Sequence, residues 1–361
     1  MPGVMLGLAK ILRPRLVANP RKEGPSGLPL KFFELRLIVY VDSLGDQNPL
    51  VKQIRRAVSH GTLTQDGYAV AEGLHLLEEA LRAGREIRAV ILSEAAKPGL
   101  LAGMSRDLSR LPEPRQVSEK TFRSLSSTET PQGVLALVKP PAADLAKMLQ
   151  GEERMGSEPL IAILDGVQDP GNAGAIVRVA EAFGATGMIF LKGTVGAFHP
   201  RTLRGSAGSS FRLPVIAGRD LDLDLDALGA LRVFSAMPAA MPAAVPANAE
   251  AAVRSHESSS IELRDADFTV PCAIAIGAEG RGVSERLAAR SIAVHIPTRN
   301  VESLNAAVAA GILFYEADRQ RRAKQGSPGR KNSNITRAGS AGLPEARPAP
   351  FQDEPLPGDS R

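Results

Sequence analysis

The run Leu160-Ile161-Ala162-Ile163-Leu164 is apolar at every position, and Asp165-Gly166 stops it. A strand with one face in water alternates apolar and polar residues. One that is apolar throughout has to be covered on both faces, as in a parallel sheet packed between helices. From about residue 171 a helical pattern sets Ile176, Val177, Ala180 and Phe183 along one face. Met188-Ile189-Phe190-Leu191 repeats the apolar run, and further strands are read at 232–235, 273–276 and 292–296, before a long helix from about 303 to 321. This alternation predicts an α/β fold: a mostly parallel sheet with helices on both faces, spanning 159–325.

A smaller α/β unit precedes it, at residues 46–140. Gln53 to Val58 opens a basic amphipathic helix, with Lys52, Arg55 and Arg56 as its cations. Residues 74–81 have helical periodicity, 87–92 read as a strand, and 132–138 as a closing strand. Pro140-Pro141 and the polar stretch after it predict a linker over 141–158. Residues 1–45 read as a basic, poorly structured extension, since positions 1–40 hold seven cations and two acids, and prolines at 14, 20, 25 and 29 break any long helix. Residues 236–260 read as an Ala/Pro-rich insertion, and 326–361, without any apolar period, as a disordered tail.

Composition narrows the chemistry. Of 361 residues one is cysteine, Cys272, which excludes a disulfide framework and any Cys-rich metal site. The histidines at 60, 75, 199, 256 and 295 show no metal-ligand spacing, so no metal is expected. No apolar run approaches the ~20 residues of a membrane span, and a soluble, cytoplasmic protein is expected. A net charge of +5 leans mildly toward a polyanionic partner.

Three loops at predicted strand ends hold the polar residues that could do chemistry, and strand ends are where open α/β sheets bind ligands. The first is Asp165-Gly166-Val167-Gln168-Asp169-Pro170-Gly171-Asn172, leading into a helix that carries Arg178. Here Asn172 reads either as a helix cap or as a site residue. The second, Gly277-Ala278-Glu279-Gly280-Arg281-Gly282, brackets an acid and a base with glycines, which let backbone approach a flat ligand. The third runs from Ile296-Pro297 to Ser303-Leu304-Asn305 and a small-residue helix, with Ser303 as the expected N-cap. None of them has the G-x-G-x-x-G spacing of a dinucleotide-binding turn, which argues against a nicotinamide-dependent oxidoreductase.

Taken in order, D-P-x-N-x-G-x-x-x-R, G-x-E-G-x-G and I-P followed by E-S-L-N resemble the SpoU (TrmH-type) RNA ribose 2′-O-methyltransferases of the SPOUT class. The resemblance covers roughly 48–320 and extends to the N-terminal module, similar to the RNA-binding domain of many members. Residues 203–215 resemble the family's substrate-side segment, which marks Arg204 and Ser206 as RNA contacts beside Lys52, Arg55 and Arg56. What the resemblance implies is a C-terminal trefoil knot, a homodimer, and S-adenosylmethionine held by Gly277, Ala278, Gly280, Ile296, Pro297, Leu304 and Asn305. It likewise implies a catalytic group of Arg178, Asn172, Glu279, Ser303 and Asn305. The expected reaction is methylation of a ribose 2′-hydroxyl, with 23S ribosomal RNA as the first substrate and transfer RNA as the alternative. A non-catalytic RNA-binding or ribosome-assembly protein on the same fold is the competing class. Thr298-Arg299-Asn300 departs from the family pattern, which has Met and Gly at these positions.

Overall fold

The structure, a computed structural model, describes residues 43–104, 108–150, 158–219, 228–229, 231–237, 260–301 and 303–325. Most of the expected N-terminal extension, most of the Ala/Pro-rich insertion and the whole C-terminal tail lie outside the described residues.

The N-terminal module contains α1 (Pro49–His60), β1 (Ala69–Glu72), α2 (Leu74–Arg82), β2 (Ile87–Ser93), β3 (Arg115–Val117), α3 (Glu119–Leu125) and β4 (Val134–Val138). Its sheet has the order β1-β4-β2-β3. β4 runs antiparallel to both neighbours, and β2 pairs with β3 in parallel. Every residue of β4 is buried, because a hydrophobic cluster covers each face of the sheet. The module starts before residue 46: Leu44 is buried, and its N–H donates to the Gln116 carbonyl at 2.7 Å. The supposed linker contains α4 (Leu145–Gln150), whose Met148 packs into the core of the second unit. At six residues α4 spans fewer than two turns, too short for sequence periodicity to reveal.

The second unit runs β5 (Leu160–Asp165), α5 (Pro170–Ala182), β6 (Gly187–Leu191), α6 (Pro200–Gly205), β7 (Val215–Arg219), β8 (Arg232–Met237), β9 (Ile261–Glu262), β10 (Cys272–Gly277), α7 (Glu285–Ala288), β11 (Ile292–His295) and α8 (Ala306–Lys324). Its strands form one sheet in the order β7-β6-β5-β10-β8-β11-β9, every pair parallel. As the unbroken apolar runs require, β5, β6 and β10 are buried almost throughout between two hydrophobic clusters. Sequence reading missed β7 and the two-residue β9, which have little apolar signal of their own.

The long helix begins at Ala306 rather than Ser303, because Asn305 and not Ser303 caps it: Asn305 Oδ1 accepts from the N–H groups of Ala307 (2.9 Å) and Val308 (3.3 Å). At its far end Arg321 fastens α8 to the segments that lead into the central strands β5 and β10. Its guanidinium donates to the carbonyls of Phe268 (2.8 Å), Val270 (2.9 Å), Pro159 (3.0 Å) and Glu158. Those carbonyls precede β5 and β10, and Pro159 O also accepts from the Cys272 N–H at 3.1 Å. Hydrogen bonds from a charged donor each contribute about 1.5–3 kcal/mol, and an acceptor left bare costs more than one never buried. Arg321→Ala is therefore expected to lower the unfolding free energy by about 2–4 kcal/mol, read as a fall in the urea midpoint at constant slope.

Candidate active site

The register of β5 and β10 builds the site. Gly277 lies opposite Asp165, so the loops that follow the two strands start side by side. Asp165 then accepts from the backbone N–H of Ser284 at 2.7 Å, tying the β5 end to the far side of the β10 loop. That loop closes on itself: Ala278 N–H donates to Gly282 O at 2.9 Å, and Gly282 N–H returns to Ala278 O at 2.8 Å. A Cβ at Gly277 would overlap the Gly282 carbonyl, and Gly280 and Gly282 have φ of 82° and 71°. These glycines are demanded by the backbone, whatever the ligand. Behind the first loop, Thr194 accepts from Gly166 N–H and donates to Leu164 O, both at 2.9 Å.

The helix after β5 has its own cap. Asp169 Oδ1 accepts from Asn172 N–H at 2.7 Å and Pro170 takes the first helical position, where its missing N–H costs nothing. Asn172 is therefore no cap, and its amide is free to turn outward. Its Nδ2 donates to Glu279 Oε1 at 2.7 Å. Asn305 Nδ2 donates to the same oxygen at 2.9 Å and to Asn172 Oδ1 at 3.1 Å. One carboxylate oxygen thus gathers amides from the other two loops, across 107 and 26 residues of sequence. Because Asn305 Oδ1 is committed to capping α8, its NH₂ can only face Glu279.

The third loop reaches this point from further away than expected. β11 is not adjacent to β10; β8 lies between them. The segment crosses the end of β8 and is bent by Asn300 at φ 61°, with Thr298 Oγ1 donating to Val301 O at 2.7 Å. Ile296 packs against the core, Leu304 is half-buried, and Pro297 and Ser303 are exposed. Gly277, Ala278 and Gly280 sit in the β10 loop as expected. Ser303 has neither a capping contact nor any other hydrogen bond among the described residues. Arg178 is exposed, one and two-thirds turns beyond Asn172, and also lacks a hydrogen-bond or ion-pair partner among the described residues.

Two expected RNA contacts have other duties. Ser206 is fully buried, its hydroxyl donating to Leu203 O at 2.8 Å and accepting from Ser210 Oγ at 3.0 Å, so it offers nothing to a surface ligand. Arg204 turns toward the module, 3.2 Å from Ser127 Oγ and 3.6 Å from Glu72 Oε2. Burial pushes the Glu72 carboxyl up, but donation from Ser126, Thr128 and Ser127 outweighs this and holds it below the ordinary value. On α1, Arg55 is engaged by Asp46 at 2.5 Å and by Ser124 at 3.1 Å, whereas Lys52 and Arg56 remain exposed along a groove that Gln53 and Thr62 also line. Sequence reading passed over Asp165 and Asp169. A lone acid ending an apolar strand and an acid directly before proline at a helix start were the available signals.

Residues 159–315 match the SpoU rRNA Methylase family, and residues 48–136 match the MRM3-like substrate binding domain. The uncharacterized tRNA/rRNA methyltransferase slr1673 of Synechocystis sp. is 32% identical over 278 residues, 76% of this chain and 92% of that one. The 23S rRNA (guanosine(2553)-2′-O)-methyltransferase RlmP of Bacillus subtilis is 29% identical over 273 residues, 74% of this chain and 96% of its own. Among solved structures, the AdoMet-bound rRNA methyltransferase from Sinorhizobium meliloti superposes with a TM-score of 0.58 at 26% identity, covering 77% of this chain and 98% of that one. These matches make the protein an RNA methyltransferase with a substrate-binding module ahead of its parallel sheet. The chain belongs to the SpoU rRNA methylase family.

Asn305→Asp separates the two duties of this side chain. An aspartate still caps α8, but it sets a second carboxylate beside Glu279 where two donors stood. Helix content and melting temperature are expected to hold, while calorimetric affinity for S-adenosylmethionine falls about tenfold, a cost of about 1.4 kcal/mol.

Proposed function

We propose that the protein transfers the methyl group of S-adenosylmethionine to a ribose 2′-hydroxyl of ribosomal RNA, the 23S species first. One observation carries this reading: Asn172, Glu279 and Asn305, from three distant segments, meet at the carboxyl end of the sheet, with Arg178, unpaired among the described residues, on the same helix as Asn172. The tight Ala278–Gly282 turn, stripped of side chains at 277, 280 and 282, suits close approach of a flat, polar cofactor. Gly277, Ala278, Gly280, Ile296, Pro297, Leu304 and Asn305 would hold it. Bound there, the sulfonium would supply an activated methyl and its own leaving group, so the chain has only to present the hydroxyl and stabilise its oxygen while the proton leaves to solvent at the open rim.

Arg178 does this electrostatically. A guanidinium stays protonated at any working pH, so it cannot take the hydroxyl proton. Its fork matches a phosphate and stabilises the alkoxide as charge develops. Asn172 and Asn305 hold the loops in register through Glu279. Lys52 and Arg56 steer folded RNA through phosphate contacts.

The family's knot, a homodimeric state and a cytoplasmic location complete the reading. The crossing of the 296–305 segment over β8 fits a threaded chain. Val308 and Tyr315, seven residues apart on one face of α8, are 51% and 56% exposed, which suits a second copy seated there. No helix among the described residues is long and apolar enough to cross a membrane. Val308→Glu is expected to shift the sedimentation coefficient from dimer to monomer; an unchanged value would remove this face from the assembly.

The decisive substitution is Arg178→Ala. Fold and S-adenosylmethionine binding are expected to persist, while methyl transfer to ribosomal RNA drops about 10²–10³-fold. Mapping 2′-O-methyl sites with and without the gene identifies the nucleotide.

A further inference from the structure

Arg178 and Glu181 lie three residues apart on α5, the spacing at which a guanidinium and a carboxylate on one helix become neighbours. They do not pair. Glu181 is held by Arg212, whose Nε donates to Oε1 at 2.5 Å and whose Nη2 donates to Oε2 at 3.0 Å. The remaining arm of Arg212 points the other way, Nη1 donating to Glu79 Oε2 at 2.7 Å. Glu79 belongs to α2 of the N-terminal module, is 5% exposed, and also accepts from Arg82 at 2.5 Å. One side chain therefore joins the RNA-binding module to the helix that presents Arg178.

The surrounding packing gives Arg212 little freedom. Leu203 and Phe211, from the segment between β6 and β7, are fully buried in the hydrophobic core of the module. Gly208, at φ 91°, lies against the Glu79 side chain. Gly174 of α5 meets the backbone of Thr202 and Gly205, so α6 rests directly on the helix that carries Asn172 and Arg178. A strut between the two units needs Glu79 alone. The bidentate contact goes instead to an acid of Arg212's own unit, the one placed to neutralise Arg178.

We propose that Arg212 is a positioning residue that withholds Glu181 from Arg178, and that Glu79 of the module anchors it for this task. The inference rests on the reading of Arg178 given above. With Arg212 gone, Glu181 is unneutralised three residues from Arg178 and competes with RNA phosphate for its guanidinium. Glu79 keeps Arg82, so no buried carboxylate is stranded by the change.

The test uses the full-length protein, ribosomal RNA from cells lacking the gene, and tritiated S-adenosylmethionine. Arg212→Ala is expected to lower kcat at saturating RNA about two- to fivefold at low salt, the scale of an exposed helical ion pair. The KM for S-adenosylmethionine stays as it was, and the deficit shrinks as salt rises. Arg212→Lys, which still neutralises Glu181, keeps kcat near the parent, as does Glu181→Gln alone. Arg212→Ala/Glu181→Gln recovers the parental kcat, which loss of structure could not produce, since the second change restores no bond that Arg212 made. A double variant as slow as Arg212→Ala, beside an inactive Arg178→Ala, overturns this inference alone. An active Arg178→Ala overturns the role given to Arg178 and this inference with it.

Discussion

A single carboxylate oxygen, Oε1 of Glu279, determines whether three loops behave as one site. It accepts from Asn172 and Asn305, and those two amides also bond each other, so each loop is held by both others. The contacts lie at an open rim where one hydrogen bond contributes only about 1 kcal/mol. A closed triangle resists opening better than isolated pairs, because breaking any side leaves two intact. Everything the site is asked to do, from closing on a flat cofactor to directing a sugar oxygen, presupposes that these loops keep their relative positions.

Division of labour among the capping residues makes the triangle affordable. Asp169 and Pro170 complete the start of α5, which frees Asn172 from the backbone. Asn305 does the reverse, spending its oxygen on α8 and thereby fixing where its nitrogen points. A helix start that needed Asn172, or an uncapped α8, would leave the same three residues in sequence without the same constellation in space.

The sequence made the class of sheet and the three loops legible because both follow from local rules. Apolar runs on both faces require a covered parallel sheet, glycine at 277 marks backbone that a Cβ would block, and those at 280 and 282 mark a turn at positive φ. What stayed hidden was non-local. Nothing local shows that β8 separates β10 from β11, since strand order is set by long-range pairing. Arg204 and Ser206 read as substrate contacts because residues 203–215 resemble the family's substrate-side segment. Burial of Leu203 and Phe211 in the module instead fixes their segment as an internal interface. Arg55 reads as a free cation of a basic amphipathic helix, and only the fold brings Asp46 and Ser124 to it.

That interface changes what the N-terminal module is. If it served only to catch RNA, a flexible tether would suffice and the boundary would be polar and wet. Here the catalytic unit lends two large apolar side chains to the module's core, and the module lends two buried acids, Glu72 and Glu79, to arginines of the catalytic unit. Removing either partner would leave a buried charge or an exposed apolar patch, so neither surface is arranged for independent life. The exposed cations Lys52 and Arg56 are thereby carried on a frame packed against α6, and α6 rests on α5. On the proposed function, a phosphate held at α1 would lie at a set distance from Arg178. Selection among RNA sites would turn on which folded RNA spans that distance, a readout of shape before sequence.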